Sequence, residues 1–141
     1  SVLRNELDQS ANKTETLSEE QLSLEKGVEV YEIDGPFFFG IANKFDEQMR
    51  ILGDKPLVRI IRMRKVPFID STGIHNLEIF INSSRKENIH VILSGVNPTV
   101  HASLERMGVE ALLGDEYIFD NIHKAVAKAN IMASELKAQP K

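Results

Sequence analysis

With 141 residues, of which 42% are hydrophobic and 27% charged, the chain is long enough for one domain with a real core and too short for two comfortable ones. Its 21 acidic and 17 basic residues leave a net charge of -4, which gives no overall field for nucleic acid. Cysteine is absent, which excludes disulfides, thiolate zinc sites and cysteine nucleophiles, and no apolar run approaches the ~18–20 residues that span a bilayer.

The chain begins at Ser1 rather than methionine and shows no signal-peptide pattern, so it is expected to be a piece of a longer protein that does not enter a membrane by itself. Residues 1–16 are polar and without sustained period, as in a linker or arm. Leu17 to Leu22 then has the form of a helix start, with Ser18 and Gln21 at the spacing of a capping box, so that 1–26 as a whole is expected to connect rather than to belong to the domain. Val28 to Ile33 alternates apolar and acidic residues and predicts a strand with one wet face. Asp34-Gly35-Pro36 breaks it, and Phe37, Phe38 and Phe39 are expected to plug the core beneath the sheet. Ile41, Phe45, Met49 and Leu52 recur at helical spacing, with Gly53 as the stop.

Leu57 to Met63 predicts a strand covered on both faces, because its apolar residues do not alternate. Five basic residues and no acidic one lie between Lys55 and Lys65. Their stems are expected to cover apolar surface while their heads reach water. Ile74, Leu77, Phe80 and Ile81 then mark the inner face of a second helix. Val91-Ile92-Leu93 predicts a short buried strand, Asn97-Pro98 a helix start, and Gly108 its end. Tyr117 to Phe119 is expected to be a last short strand or extended piece, and Asp120 to cap a fourth helix with Ile122, Val126 and Ala129 inward. The last residues, 136–141, are expected to fray. This alternation implies an α/β domain with a mostly parallel sheet of about four strands and crossover helices.

Functional groups in such a sheet collect at the turns that follow its strands. Here that turn is Asp70-Ser71-Thr72-Gly73, where two hydroxyls meet the unpaired leading amides of a helix. The turn can receive an anion or a partner carboxylate, or Ser71 or Thr72 can be phosphorylated, and Gly73 would allow close approach. Equally, Asp70 or Ser71 can simply cap the helix. Asp70, Ser71 and His75 are close in sequence, but a triad needs an oriented base and an oxyanion hole, which closeness does not supply, so no catalytic site is expected. The histidines His75, His90, His101 and His123 have no metal-ligand spacing, and no metal site is expected.

Three blocks together resemble one family. Val30-Tyr31-Glu32-Ile33-Asp34-Gly35-Pro36-Phe37-Phe38-Phe39-Gly40, then Arg62-Met63-Arg64 through Val66-Pro67 to Ile69-Asp70-Ser71-Thr72-Gly73, then Ile92-Leu93-Ser94-Gly95-Val96, are similar in order and spacing to the cytoplasmic STAS domain of bacterial SulP-family anion transporters. The resemblance covers roughly residues 28–133 and implies a STAS fold over 27–135, of the anti-sigma factor antagonist type. It further implies a preceding membrane domain, joined through residues 1–26, in a transporter of sulfate, bicarbonate or dicarboxylates that is usually a dimer. The domain itself would be regulatory and non-catalytic, on the cytoplasmic side of the membrane, with the transporter's own membrane domain or a regulatory protein as partner and no nucleic acid. No cofactor is required by the resemblance; weak purine-nucleotide binding would place phosphates near the Asp70–Gly73 turn, beside Arg62 and Arg64. Many transporter relatives carry alanine where Ser71 stands, whereas the antagonist branch phosphorylates a serine there, so a free-standing antagonist is the alternative.

Overall fold

The computed structural model describes residues 22–34 and 55–139. The expected capping box at Ser18, the Phe37–Phe39 cluster expected to plug the core and the expected helix from Ile41 to Leu52 lie outside these residues. Three strands, β1 (Val28–Glu32), β2 (Val58–Arg62) and β3 (His90–Ser94), form a parallel sheet in the order β1-β2-β3. Helices follow as α1 (Ser71–Lys86), α2 (Pro98–Arg106), α3 (Val109–Leu113) and α4 (Ile122–Ala138), with a 3-10 turn at Asp115–Tyr117.

All five residues of β2 are buried, as its unbroken apolar pattern predicts. One face of the sheet offers Tyr31, Ile61, Val91 and Leu93 to Ile74, Leu77, Phe80 and Ile81 of α1, Val100 and Leu104 of α2, and Val109 and Leu113 of α3. The other offers Val28, Val30, Val58, Ile60 and Ile92 to α4. That helix meets the sheet with Ala125, Ala129 and Ala133, spaced by four, so small side chains line one stripe along it. The segment from Leu22 also joins this side: Asn130 of α4 donates to Ser23 O at 2.9 Å and accepts from Glu25 N at 2.9 Å. The packed unit thus includes residues from the end of the stretch expected to be linker.

Several local expectations change. The expected wet face of β1 is reduced to the half-buried Glu29, because Tyr31 beside it is buried, and Glu32, on the other face, is only 1% exposed. The basic heads do not all reach water: Arg59 and Arg62 are buried. The Arg59 guanidinium lies over the rings of Tyr31 and Phe80, 5.4 and 5.1 Å from their centroids, and donates to Ser84 Oγ at 2.9 Å. The segment after Tyr117 takes the extended alternative: Ile118 makes a single parallel bridge to Leu93, with Phe119 N donating to Leu93 O at 2.9 Å. The connector after Gly108 contains the short helix α3, which residue spacing over five positions is too brief to reveal. Asn121, not Asp120, caps α4: its side chain accepts from the amides of His123 and Lys124, while Asp120 pairs with Lys124 at 3.3 Å. The helix continues to Ala138, three residues past the expected boundary.

Tyr31 is the most perturbed acid among the described residues. Burial pushes its phenol well above the ordinary value, and the Glu29 carboxylate, which accepts its O–H, pushes further in the same direction. The unfolded chain releases this proton near about pH 10, whereas the folded chain holds it. The stabilisation is therefore complete below that pH and is lost as pH rises through the alkaline range. Urea titrations should show a steeper loss of stability above about pH 10 in the wild type than in Tyr31→Phe; equal slopes would separate Tyr31 from the effect.

Candidate functional site

The carboxyl ends of the three strands are held together before the turn begins. Glu32 and Arg62 are register neighbours on β1 and β2, and Arg62 in turn faces Ser94 on β3. Just past β2, Arg64 Nε donates to Glu32 Oε1 at 2.5 Å and its Nη2 to Oε2 at 3.4 Å. A two-pronged guanidinium pair of this kind neutralises the buried carboxylate and fixes its direction. Gly95, after β3, closes the edge with φ 67°, and a Cβ there would stand 2.7 Å from the Arg64 amide nitrogen. Only glycine lets the two backbones meet so closely.

From this anchor the chain turns outward. Val66 N donates to Met63 O at 3.0 Å, and the Asn97 side chain donates to Val66 O and Pro67 O at 3.2 and 3.3 Å. Asn97 Oδ1 also accepts from Val100 N at 2.8 Å, so one side chain caps α2 and holds the turn. Ile69 points back into the core, while Phe68 is 58% exposed. Asp70 is the N-cap of α1, its carboxylate accepting from Gly73 N at 2.8 Å. Gly73 is itself buried under Ile69, where a Cβ would lie 2.8 Å from Ile69 Cγ1. Its missing side chain therefore accommodates the protein's own core.

Of the residues expected at this site, Asp70, Ser71 and Thr72 meet at the exposed start of α1, with both hydroxyl-bearing residues open to solvent. Ser71 and Thr72 occupy the first helical positions, whose amides have no partner within a helix. Arg62 is buried, 3% exposed, and Arg64 is engaged with Glu32, so a phosphate reaching for Arg64 must compete with that carboxylate. His75 is exposed, and among the described residues no hydrogen bond links it to Ser71. The arrangement presents hydroxyls, two amides and an aromatic ring on one surface. Sequence reasoning missed Glu32, Gly95 and the second role of Asn97; the Asn97-Pro98 pair signals a helix start but not that its amide reaches back across 30 residues of chain.

Comparison with known proteins assigns this architecture. The sequence model of the STAS domain family matches residues 21–129. A sulfate transporter family protein from Wolinella succinogenes has a solved structure that is 41% identical, with TM-score 0.72, covering 82% of this chain and 94% of that one. The STAS domain of a SulP transporter from Vibrio cholerae is 33% identical, with TM-score 0.72, covering 92% and 99%. A chloroplastic sulfate transporter, 4.1, of Arabidopsis thaliana is 26% identical over 113 residues, 71% of this chain but 16% of its own length. The chain belongs to the STAS domain family, within the group of sulfate-transporter STAS domains of the SulP type.

Removing the cap should separate the residue that holds the helix end from its exposed neighbour. Asp70→Ala is expected to lower unfolding free energy by about 0.5–2 kcal/mol, and Ser71→Ala by less than about 0.5 kcal/mol, measured by urea denaturation. Equal losses in the two variants would show that Ser71 also holds the helix end.

Proposed function

We propose that this domain is the regulatory unit of a SulP-type anion transporter, of the sulfate, bicarbonate or dicarboxylate class. In this reading it hangs on the cytoplasmic side of the membrane from a preceding membrane domain, within a homodimer of the whole protein. The observation that carries the reading is the near-complete coverage of two solved structures, a sulfate transporter family protein and a SulP transporter STAS domain, 94% and 99% of their lengths, at 41% and 33% identity. Among the described residues no helix is long and apolar enough to cross a membrane, so the transport step itself would be made elsewhere in the parent chain.

The exposed start of α1 is the proposed receiving surface. Pro67, Phe68, Ser71 and Thr72 are accessible, and the cap and the core contacts are made by their neighbours Asp70, Ile69 and Gly73. A partner or a modification can therefore act on the first group without dismantling the second. A phosphate on Ser71 or Thr72 would add roughly -1.5 to -2 charge beside the positive end of α1. It would stand next to the Asp70 carboxylate, so its main effect would be on what the surface binds.

In vesicles carrying the parent transporter, Ser71→Asp is expected to change anion flux by about fivefold or more, a coupling of ordinary size, with the domain's melting temperature nearly unchanged. A clear fall in melting temperature with unaltered flux would contradict this. A second reading, a free-standing antagonist switched by a serine kinase, is favoured by the exposed serine of the Asp70-Ser71-Thr72-Gly73 turn. It predicts a phosphate mass shift on incubation with such a kinase and ATP, abolished in Ser71→Ala; an unchanged mass counts against it.

A further inference from the structure

A second cluster lies away from this turn, where α2, α3 and the 3-10 turn fold back on one another. Gly108 and Gly114, with φ 87° and 103°, make the two reversals, and they bring His101 of α2, Glu110 of α3 and Asp115 of the 3-10 turn together. His101 Nε2 is 3.2 Å from Glu110 Oε2 and 3.4 Å from Asp115 Oδ1. Nε2 and Oε2 are each hidden from solvent and stand at ion-pair distance from one another, while the His101 and Glu110 side chains as a whole are 43% and 24% exposed.

We propose that His101, Glu110 and Asp115 bind a divalent transition-metal ion, with zinc as the best match. Ligands about 2.0–2.2 Å from a tetrahedral zinc lie about 3.4 Å from one another. The two separations measured from His101 Nε2, 3.2 and 3.4 Å, are close to that length, and the three ligand atoms all lie within 4.8 Å of one another. An imidazole with two carboxylates suits zinc or cobalt, whereas calcium and magnesium favour all-oxygen sets. The two carboxylates balance the ion's charge. Asp115, whose side chain is 70% exposed, is the ligand free to adjust. A fourth position can be taken by water from the adjoining hollow of about 440 Å³, which His101, Asp115, Ile118, Phe119, Asp120 and Lys124 help to line. The ion would bind α2, α3 and the 3-10 turn to one another, next to the Ile118 bridge that borders β3.

The test is calorimetric titration of this chain, freed of metal by chelator, with ZnCl₂, and in parallel the visible spectrum with CoCl₂. The expected results are one ion per chain, a cobalt spectrum of the intense tetrahedral type, and a zinc-dependent rise in melting temperature. His101→Ala and Glu110→Gln should each weaken zinc binding at least about tenfold, no less than the loss seen for outer-shell partners. His123→Ala, an exposed histidine elsewhere, should leave it unchanged. Circular dichroism without metal checks that both ligand variants are folded, and either one suffices. Absent zinc binding, or binding that both folded variants retain, would overturn the proposal.

Discussion

Burial of β2 on both faces is the constraint from which the rest of the domain follows. A parallel strand with neighbours on each side and helices above and below has nowhere to send its side chains except inward, and all five of its residues are buried. Two of the five are arginines. A guanidinium inside a protein is tolerated only where donors find acceptors and the charge finds compensating surfaces. Arg59 meets this condition between two aromatic rings and Ser84 Oγ, so Tyr31 on β1 and Phe80 on α1 are positioned by a cation as well as by apolar contact. The core is thereby specified by polar geometry across three elements.

The same constraint determines where function can reside. Strands that are buried along their length emerge only at their ends, and at the carboxyl edge the exit is narrow. Glu32 and Arg64 close one side of it, and Gly95 admits the Arg64 backbone on the other. Asn97 then fixes Val66 and Pro67 from α2. The chain leaves this clamp in a direction that turns Ile69 and Gly73 inward and leaves Phe68, Ser71 and Thr72 outside. A rigid frame beneath a small exposed surface suits a domain that is read by other molecules.

Much of this was visible in the sequence wherever one residue type has one local meaning. The unbroken apolar run in β2, the Asn97-Pro98 helix start and the Asp70 cap each follow from short-range chemistry. The basic run misled because charge normally marks solvent, whereas Arg59 and Arg62 take their places from strand register. Glu32 misled for the matching reason: its partner lies 32 residues away. Asp120 and Asn121 are both good caps, and the choice between them depends on backbone angles that residue preference does not fix. The Asp70-Ser71-Thr72-Gly73 turn was legible as a helix start, but whether Gly73 admits a ligand or the protein's own Ile69 became clear only from packing. His101, Glu110 and Asp115 are spread over fifteen residues and brought together by two glycine reversals, which no spacing rule captures.

On the proposed function, the outward residues of this turn contact other protein while the clamp beneath them serves the fold. This is tested most directly by a photo-crosslinking amino acid placed at Phe68 in the full-length parent, with the same group at Ile131 as the control. Both positions are 58% exposed, but Ile131 lies on α4, on the opposite side of the sheet from α1. A discrete protein adduct, within the parent or to a partner, is expected from position 68 and little from position 131. Adducts from position 131 alone, or none from position 68, would contradict it.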